Sequence, residues 1–305
     1  MKVLIIGGTG HIGHNLVAMF LDDGCDVVVI SSGRTKLAAG VDWDRATMVQ
    51  AGYGSDGWAD CLRQQEADVV VDILGRDAPG VYDAVKSNCR HFLLCGSIWM
   101  FGDPRSVPTP DEPQTPSPFE EYASRYVEML ALRASAAQDG IAFTAVMPPN
   151  ICGPGKVPLD GMGGRSVDVH KAHQAGKPAP LPAPGNNLIG PCDGADVAQP
   201  FFLAAQNRDA GNGEIFNVGA AYALTAKQFI ETYGQIYGVT IPIEWYGWPE
   251  YAESINPSIG ANFHFSANMC PDISKARTLL GYEPKYTCEE TMERAVGWMR
   301  NEGIL

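Results

Sequence analysis

The chain has 305 residues, 45% hydrophobic and 19% charged, which is room for one large α/β domain or about two packed units and is too apolar for intrinsic disorder. Lys and Arg number 22 against 35 Asp and Glu, a net charge of −13 with an isoelectric point near 4.8, which opposes a broad nucleic-acid surface built from clustered cations. No run reaches the ~18 apolar residues of a membrane helix. The eight cysteines are scattered without a C-x-x-C pair and no charged-then-apolar leader is seen, so a reducing, cytoplasmic setting without a zinc site is expected.

In chain order, Lys2 to Ile6 is a β-branched run that stops at glycines, and His14 to Asp22 follows at once with helical spacing, which reads as strand, tight turn, helix. Further strands are predicted at Asp26–Ile30, Asp68–Leu74, His91–Cys95 and Ala142–Met147, alternating with helical patterns. That alternation predicts an α/β fold, a doubly wound parallel sheet with helices on both faces. Pro104 to Pro118 carries six prolines, which forbid regular structure and predict a long surface loop near a site. Ser117-Pro118-Phe119-Glu120 then has the cap, first-turn proline and N3 acid of a helix start, so a helix is predicted over Pro118–Gln138. After Asn150 the texture turns to Gly- and Pro-rich loops with a short helix around Asp168–Ala175. We therefore divide the chain into a dinucleotide-binding domain, 1–150, rejoined at about 190–220, and a smaller substrate lobe, 151–189 and 221–305.

GGTGHIG sets Gly7, Gly10 and Gly13 between the first strand and its helix. A helix start offers free amides and a partial positive charge, and glycines let a pyrophosphate approach the backbone, so this is a dinucleotide loop. Thr9, His11 and Ile12 belong to it; His11 and His14 are expected at solvent or supporting positions. The second strand ends in Ser31, Ser32 and Arg34 with no carboxylate, which favours the 2′-phosphate of NADP over the free ribose of NAD.

With CGSIWMFG, PPNICGPG, CDGADVAQ, GEIFNVG and DISKARTLLGYEPKY following the glycine loop in order, the chain resembles the extended short-chain dehydrogenase/reductase family of sugar epimerases, dehydratases and reductases. The resemblance implies a Rossmann fold with a C-terminal substrate lobe and a homodimer built on the helix VEMLALRASAAQ. It implies Leu74, Gly75 and Pro149 at the cofactor, Ser97 and Tyr122 as the catalytic pair, and Asn150 at the substrate. The family lysine four residues past the tyrosine is Tyr126 here. Its hydroxyl could replace the lysine's hydrogen bonds but not its charge, while Arg125 is expected to point away and pair with Glu121.

Nucleotide-sugar members hold a diphosphate with arginines, yet Trp245 to Ser274 contains no Lys or Arg. Burying a diphosphate without cations is costly, so a sugar other than a nucleotide sugar is expected, with Arg165, Lys156 and Lys171 as substitute cations. Trp99, and less so Phe101, Trp245, Tyr246, Trp248 and Tyr251, could stack on a sugar ring. His170 and His173, spaced to chelate, are expected on the surface with no metal. A small carbohydrate-like ligand is thus expected, without nucleic acid or membrane. The alternative is a dinucleotide-bound sensor that has lost catalysis with its lysine.

Overall fold

The computed structural model describes residues 1–305. Seven parallel strands form its central sheet: β1 (Lys2–Ile6), β2 (Asp26–Ser31), β3 (Thr47–Gln50), β4 (Val69–Asp72), β5 (His91–Cys95), β6 (Ala142–Met147) and a last strand at Glu214–Asn217. Across the sheet the order is β3, β2, β1, β4, β5, β6 and then 214–217. This is the doubly wound Rossmann arrangement. The order reverses between β1 and β4, and a switch point of this kind opens a crevice at the carboxyl ends of the strands.

The strand sequences explain the layering. Leu4 and Ile6 of β1 point into one apolar layer with Val28, Ile30, Val70, Phe92 and Phe143. Val3 and Ile5 point into the other with Val27, Val29, Val71 and Leu93, covered by helix α1 (Gly13–Asp22). Strands buried on both faces read as continuous apolar runs rather than as alternation, which is why these were legible. Edge strand β3, TMVQ, is mostly exposed and has no such run, so the sequence reading passed over it.

A third apolar cluster lies in the second lobe, where Phe229, Ile230 and Tyr233 pack with Cys288, Met292 and Val296. Helix Cys288–Asn301 is tied to the sheet domain through Asp193, whose carboxylate accepts from the Ala195 amide (2.9 Å), the Thr291 hydroxyl (3.0 Å) and Arg294 Nε (2.9 Å). Asp196 accepts from the amides of Lys285 and Tyr286. The acids of CDGADVAQ are therefore joints between segments.

One local expectation is corrected. The long helix runs Glu120–Asp139 and has no side-chain cap, because the Ser117 hydroxyl donates to the Trp99 carbonyl (2.8 Å) and accepts from the Phe119 amide. The proline-rich segment is pinned at Thr109, which is fully buried. Its amide donates to the Cys270 carbonyl, and its own carbonyl accepts from Asp272 N and Asn217 Nδ2. No helix is long and apolar enough to cross a membrane.

Candidate active site

The carboxyl ends of β1, β2 and β4 finish level, with Ile6 in register with Ile30 and Asp72, so the loops that follow meet in one crevice. Gly7 adopts φ +83°, and a Cβ on Gly13 would stand 2.3 Å from the Gly7 carbonyl oxygen and 2.6 Å from Gly8 Cα. Only glycine permits that approach. The amides of His11, Ile12 and Gly13 find no backbone acceptor, and no side chain caps α1. Free amides at a helix start that backbone can approach closely fit a dinucleotide pyrophosphate.

Thr9, Gly7 and Gly10 line a cavity of about 380 Å³ together with Ser31, Ser32, Arg34, Tyr53, Trp58, Leu74 and Arg76. No carboxylate lines it. Leu74 and Arg76 also line a second cavity of about 580 Å³ that holds Ile12, Ser97, Trp99, Tyr122, Arg125, Pro149, Asn150, Lys156, Arg165 and His264. Most residues expected at cofactor, reacting carbon and substrate thus line two cavities that share Leu74 and Arg76; His11, Gly13, Gly75 and Tyr126 line neither. His11 supports the loop from the side, its Nε2 3.2 Å from the Gly153 carbonyl. Burial above all, then the charges of Arg165 and Lys156, hold its pKa down at about 3, so it is neutral. Gly75 sits behind the wall, with the Arg125 guanidinium against it.

Asp72, at the end of β4, organises that wall. It is fully buried, and its carboxylate accepts from the amides of Leu74 (3.0 Å) and Gly75 (2.9 Å) and from the Tyr53 hydroxyl (3.2 Å). Burial raises its pKa to about 6, opposed by those hydrogen bonds and the charge of Arg125. Asp72, Tyr53 and Arg76 were missed by the sequence reading; the one signal was a lone acid closing the run VVVD.

Tyr122 lies in the first turn of the 120–139 helix, edge-on to Trp99 (ring centroids 5.7 Å apart). Trp99 in turn stacks on Phe119 (4.7 Å) and meets His264 of the second lobe (4.8 Å). Burial lifts the Tyr122 phenol above its ordinary pKa, with Arg125 pulling the other way. Ser97 precedes a short 3₁₀ turn and accepts from the Trp99 amide (3.3 Å).

Tyr126 does not enter the crevice. It packs edge-to-face on Phe101 (5.9 Å) and lines neither cavity. Arg125, expected to point outward, is the residue that enters the crevice. Its side chain is only 18% exposed, and its contact with the exposed Glu121 is long, 3.9 Å.

From the second lobe come Arg165 and Lys156. Arg165 is held by the carbonyls of Val157 (2.7 Å) and Ile151 (2.9 Å). Its loop is shaped by fully buried Asp160, which accepts from the amides of Met162, Gly164 and Ser166. Burial lowers the pKa of both cations, and for Lys156 the charge of Arg165 adds to it. Asn150 Nδ2 is buried without a partner. The expected shortage of cations therefore holds for 245–274 but not for the crevice, which draws them from 76, 125, 156 and 165. Lys171 is exposed and elsewhere.

Other aromatic candidates lie outside: Phe101 and Tyr251 are fully buried, while Trp245 and Trp248 are exposed and neither they nor Tyr246 line the crevice. The histidines expected on the surface are buried, His170 fully so. His170 bonds the Tyr237 hydroxyl (2.8 Å) and the Pro158 carbonyl (3.2 Å), so the helix face that carries this pair is turned inward.

A family model described as the NAD dependent epimerase/dehydratase family matches residues 3–81 and 80–219. The chain belongs to that family. It is 23% identical to a UDP-glucose 4-epimerase of Lactobacillus helveticus over 342 aligned positions, covering 99% of this chain and 98% of that protein. Among solved structures, UDP-glucose 4-epimerase of Thermotoga maritima with UDP-glucose superposes with a TM-score of 0.75 at 20% identity, covering 99% of both chains. dTDP-glucose 4,6-dehydratase of Bacillus anthracis in complex with NAD gives 0.74 at 15% identity, covering 100% of both. The epimerase/dehydratase family member is thus an enzyme that uses a nicotinamide dinucleotide.

Proposed function

We propose that the enzyme epimerises or dehydrates a nucleotide sugar by oxidising and re-reducing a ring carbon, with NADP preferred over NAD. The observation that carries the substrate class is the charge of the crevice. In a chain of net charge −13, twenty residues line the larger cavity with Lys156 and Arg165 of the second lobe among them and not one carboxylate. Like charges gathered in a partly buried space repel until an anion arrives, and a diphosphate satisfies them. UDP-glucose, named for the Thermotoga maritima structure, is the first candidate.

Gly7, Gly10, Ile12 and Gly13 would hold the pyrophosphate of the dinucleotide, and Ser31, Ser32, Arg34 and Arg76 its adenosine end, where a 2′-phosphate would meet cations and no carboxylate. When bound, the nicotinamide supplies a hydride acceptor and donor. Tyr122 takes the proton of the substrate hydroxyl and returns it, Ser97 orients that oxygen, and Asn150 Nδ2 gives the substrate the partner it lacks in the protein. Trp99 and His264 close over the sugar and keep water from the reacting carbon. Two copies of the chain pair through the exposed face of the 120–139 helix, where Val127 is 66% exposed beside Ala131 and Ala134.

Proton NMR of UDP-glucose, UDP-glucuronic acid and dTDP-glucose, each incubated with enzyme and NADP or NAD, tests the proposal. New anomeric signals from at least one sugar are expected. Inertness of all three with both dinucleotides, from protein that binds the dinucleotide, would remove the nucleotide-sugar assignment.

A further inference from the structure

The departure from the family pattern at position 126 leaves Tyr122 without an ammonium, and the structure shows what stands in its place. We propose that Arg125 is the positioning residue that brings positive charge to Tyr122, from one residue earlier in the helix than the family lysine and with Gly75 as its seat. The inference rests on the proposed proton role of Tyr122.

Four observations converge. The guanidinium carbon lies 5.7 Å from the centroid of the Tyr122 ring. Arg125 lines the same cavity as Tyr122 and Ser97, whereas Tyr126 does not. Successive helical residues are about 100° apart around the axis, so positions three and four beyond Tyr122 flank its face on opposite sides, and a helix can present either one. Here Tyr126 is taken up by Phe101, which leaves Arg125 facing the crevice. Its one ion-pair partner, Glu121, is 78% exposed and 3.9 Å away, too distant and too wet to neutralise it.

The fourth observation is the space made for it. Gly75 has φ +54°, and a Cβ there would stand 2.8 Å from Arg125 Nη2 and 2.9 Å from the Cys95 carbonyl oxygen. The turn after β4 thus yields the volume the guanidinium occupies. Its charge also reaches Asp72 and Cys95, the titratable groups closing β4 and β5, and holds both below where burial alone would put them. Arginine keeps its charge through any proton transfer at the phenol and has a longer reach than lysine, which compensates for the earlier position.

The test follows the Tyr122 phenol itself. Full-length protein labelled with [ζ-13C]tyrosine is titrated between pH 7 and 12, the Tyr122 signal being assigned by its loss in Tyr122→Phe. In wild type the signal moves toward phenolate within this range. Arg125→Met shifts its titration upward by about one pH unit, a roughly tenfold smaller phenolate fraction at a given pH. Arg125→Lys recovers at least half of the shift, and adding Tyr126→Lys to Arg125→Met recovers none. An unchanged titration in Arg125→Met or full recovery by Tyr126→Lys overturns the inference. The titration is read on resting protein, so protein that turns over no nucleotide sugar yet shows the shift defeats the proposed function and leaves Arg125 standing. In active enzyme the pH profile of kcat moves with the phenol, while dinucleotide affinity changes less than threefold.

Discussion

Replacing Asp72 with asparagine separates the cost of its charge from the value of its hydrogen bonds. The amide oxygen can still accept from Leu74 N and Gly75 N, which lie 3.0 and 2.9 Å from the native carboxylate, but the charge is gone. In the native protein burial is the leading cause that lifts this carboxyl from 3.8 to about 6. A folded-state pKa above the unfolded one means that the native state binds the proton more tightly. The associated stability is full below the unfolded value and is lost as pH rises through the folded one. The difference of roughly two units corresponds to about 3 kcal/mol, of which about half falls between pH 5 and 8. Asp72→Asn escapes this loss. Its stability minus that of wild type should grow by about 1.4 kcal/mol from pH 5 to pH 8 and level off above pH 7. Urea unfolding followed by tryptophan fluorescence at pH 5, 6, 7 and 8 measures the gap. A gap that stays flat, or that narrows with rising pH, would show that the three donors outweigh burial and would refute the reasoning.

Further outcomes follow from the same geometry. Arg34→Ala should weaken NADP binding about tenfold, the loss of one charge-assisted contact, and leave NAD within twofold, as read by calorimetry. Arg165→Met should raise KM for a nucleotide sugar by a factor of about ten to one hundred with a smaller change in kcat, because a cation held by two carbonyls away from the phenol binds ground and transition states alike. Gly13→Ala should cost at least about 2 kcal/mol in dinucleotide affinity, because its methyl would meet backbone rather than a side chain that can move. Light scattering should give twice the chain mass, falling to the monomer in Val127→Glu.

What the sequence disclosed and what it concealed divide along physical lines. Strands buried on both faces announce themselves as apolar runs, and the glycines of 7–13 encode a turn that few other arrangements require, so the sheet and the cofactor loop were legible. Sites assembled from distant segments were not. The second lobe offers no cation between 245 and 274, and of the substitutes the sequence suggested, Lys156 and Arg165 line the crevice on a loop shaped by buried Asp160 whereas Lys171 does not. Helical spacing put Tyr126 beside Tyr122 and turned Arg125 away, and the structure reverses the two. The choice was made by Phe101, a residue twenty-five positions earlier that occupies Tyr126, and by the gap at Gly75. The proline-rich segment has no regular structure, as its prolines dictate, and what they did not disclose is that hydrogen bonds at Thr109 hold it to segments more than a hundred residues away.

The central claim is that a dinucleotide held by the glycine loop faces a phenol that moves the substrate proton. Measuring dinucleotide affinity and turnover side by side in wild type and Tyr122→Phe tests it most directly. The affinity should stay within about threefold while turnover of the nucleotide sugar falls by a factor of 10² to 10⁴, the range for loss of a general acid–base group. Wild-type turnover by Tyr122→Phe, or a wild-type protein that binds neither NAD nor NADP, would contradict it.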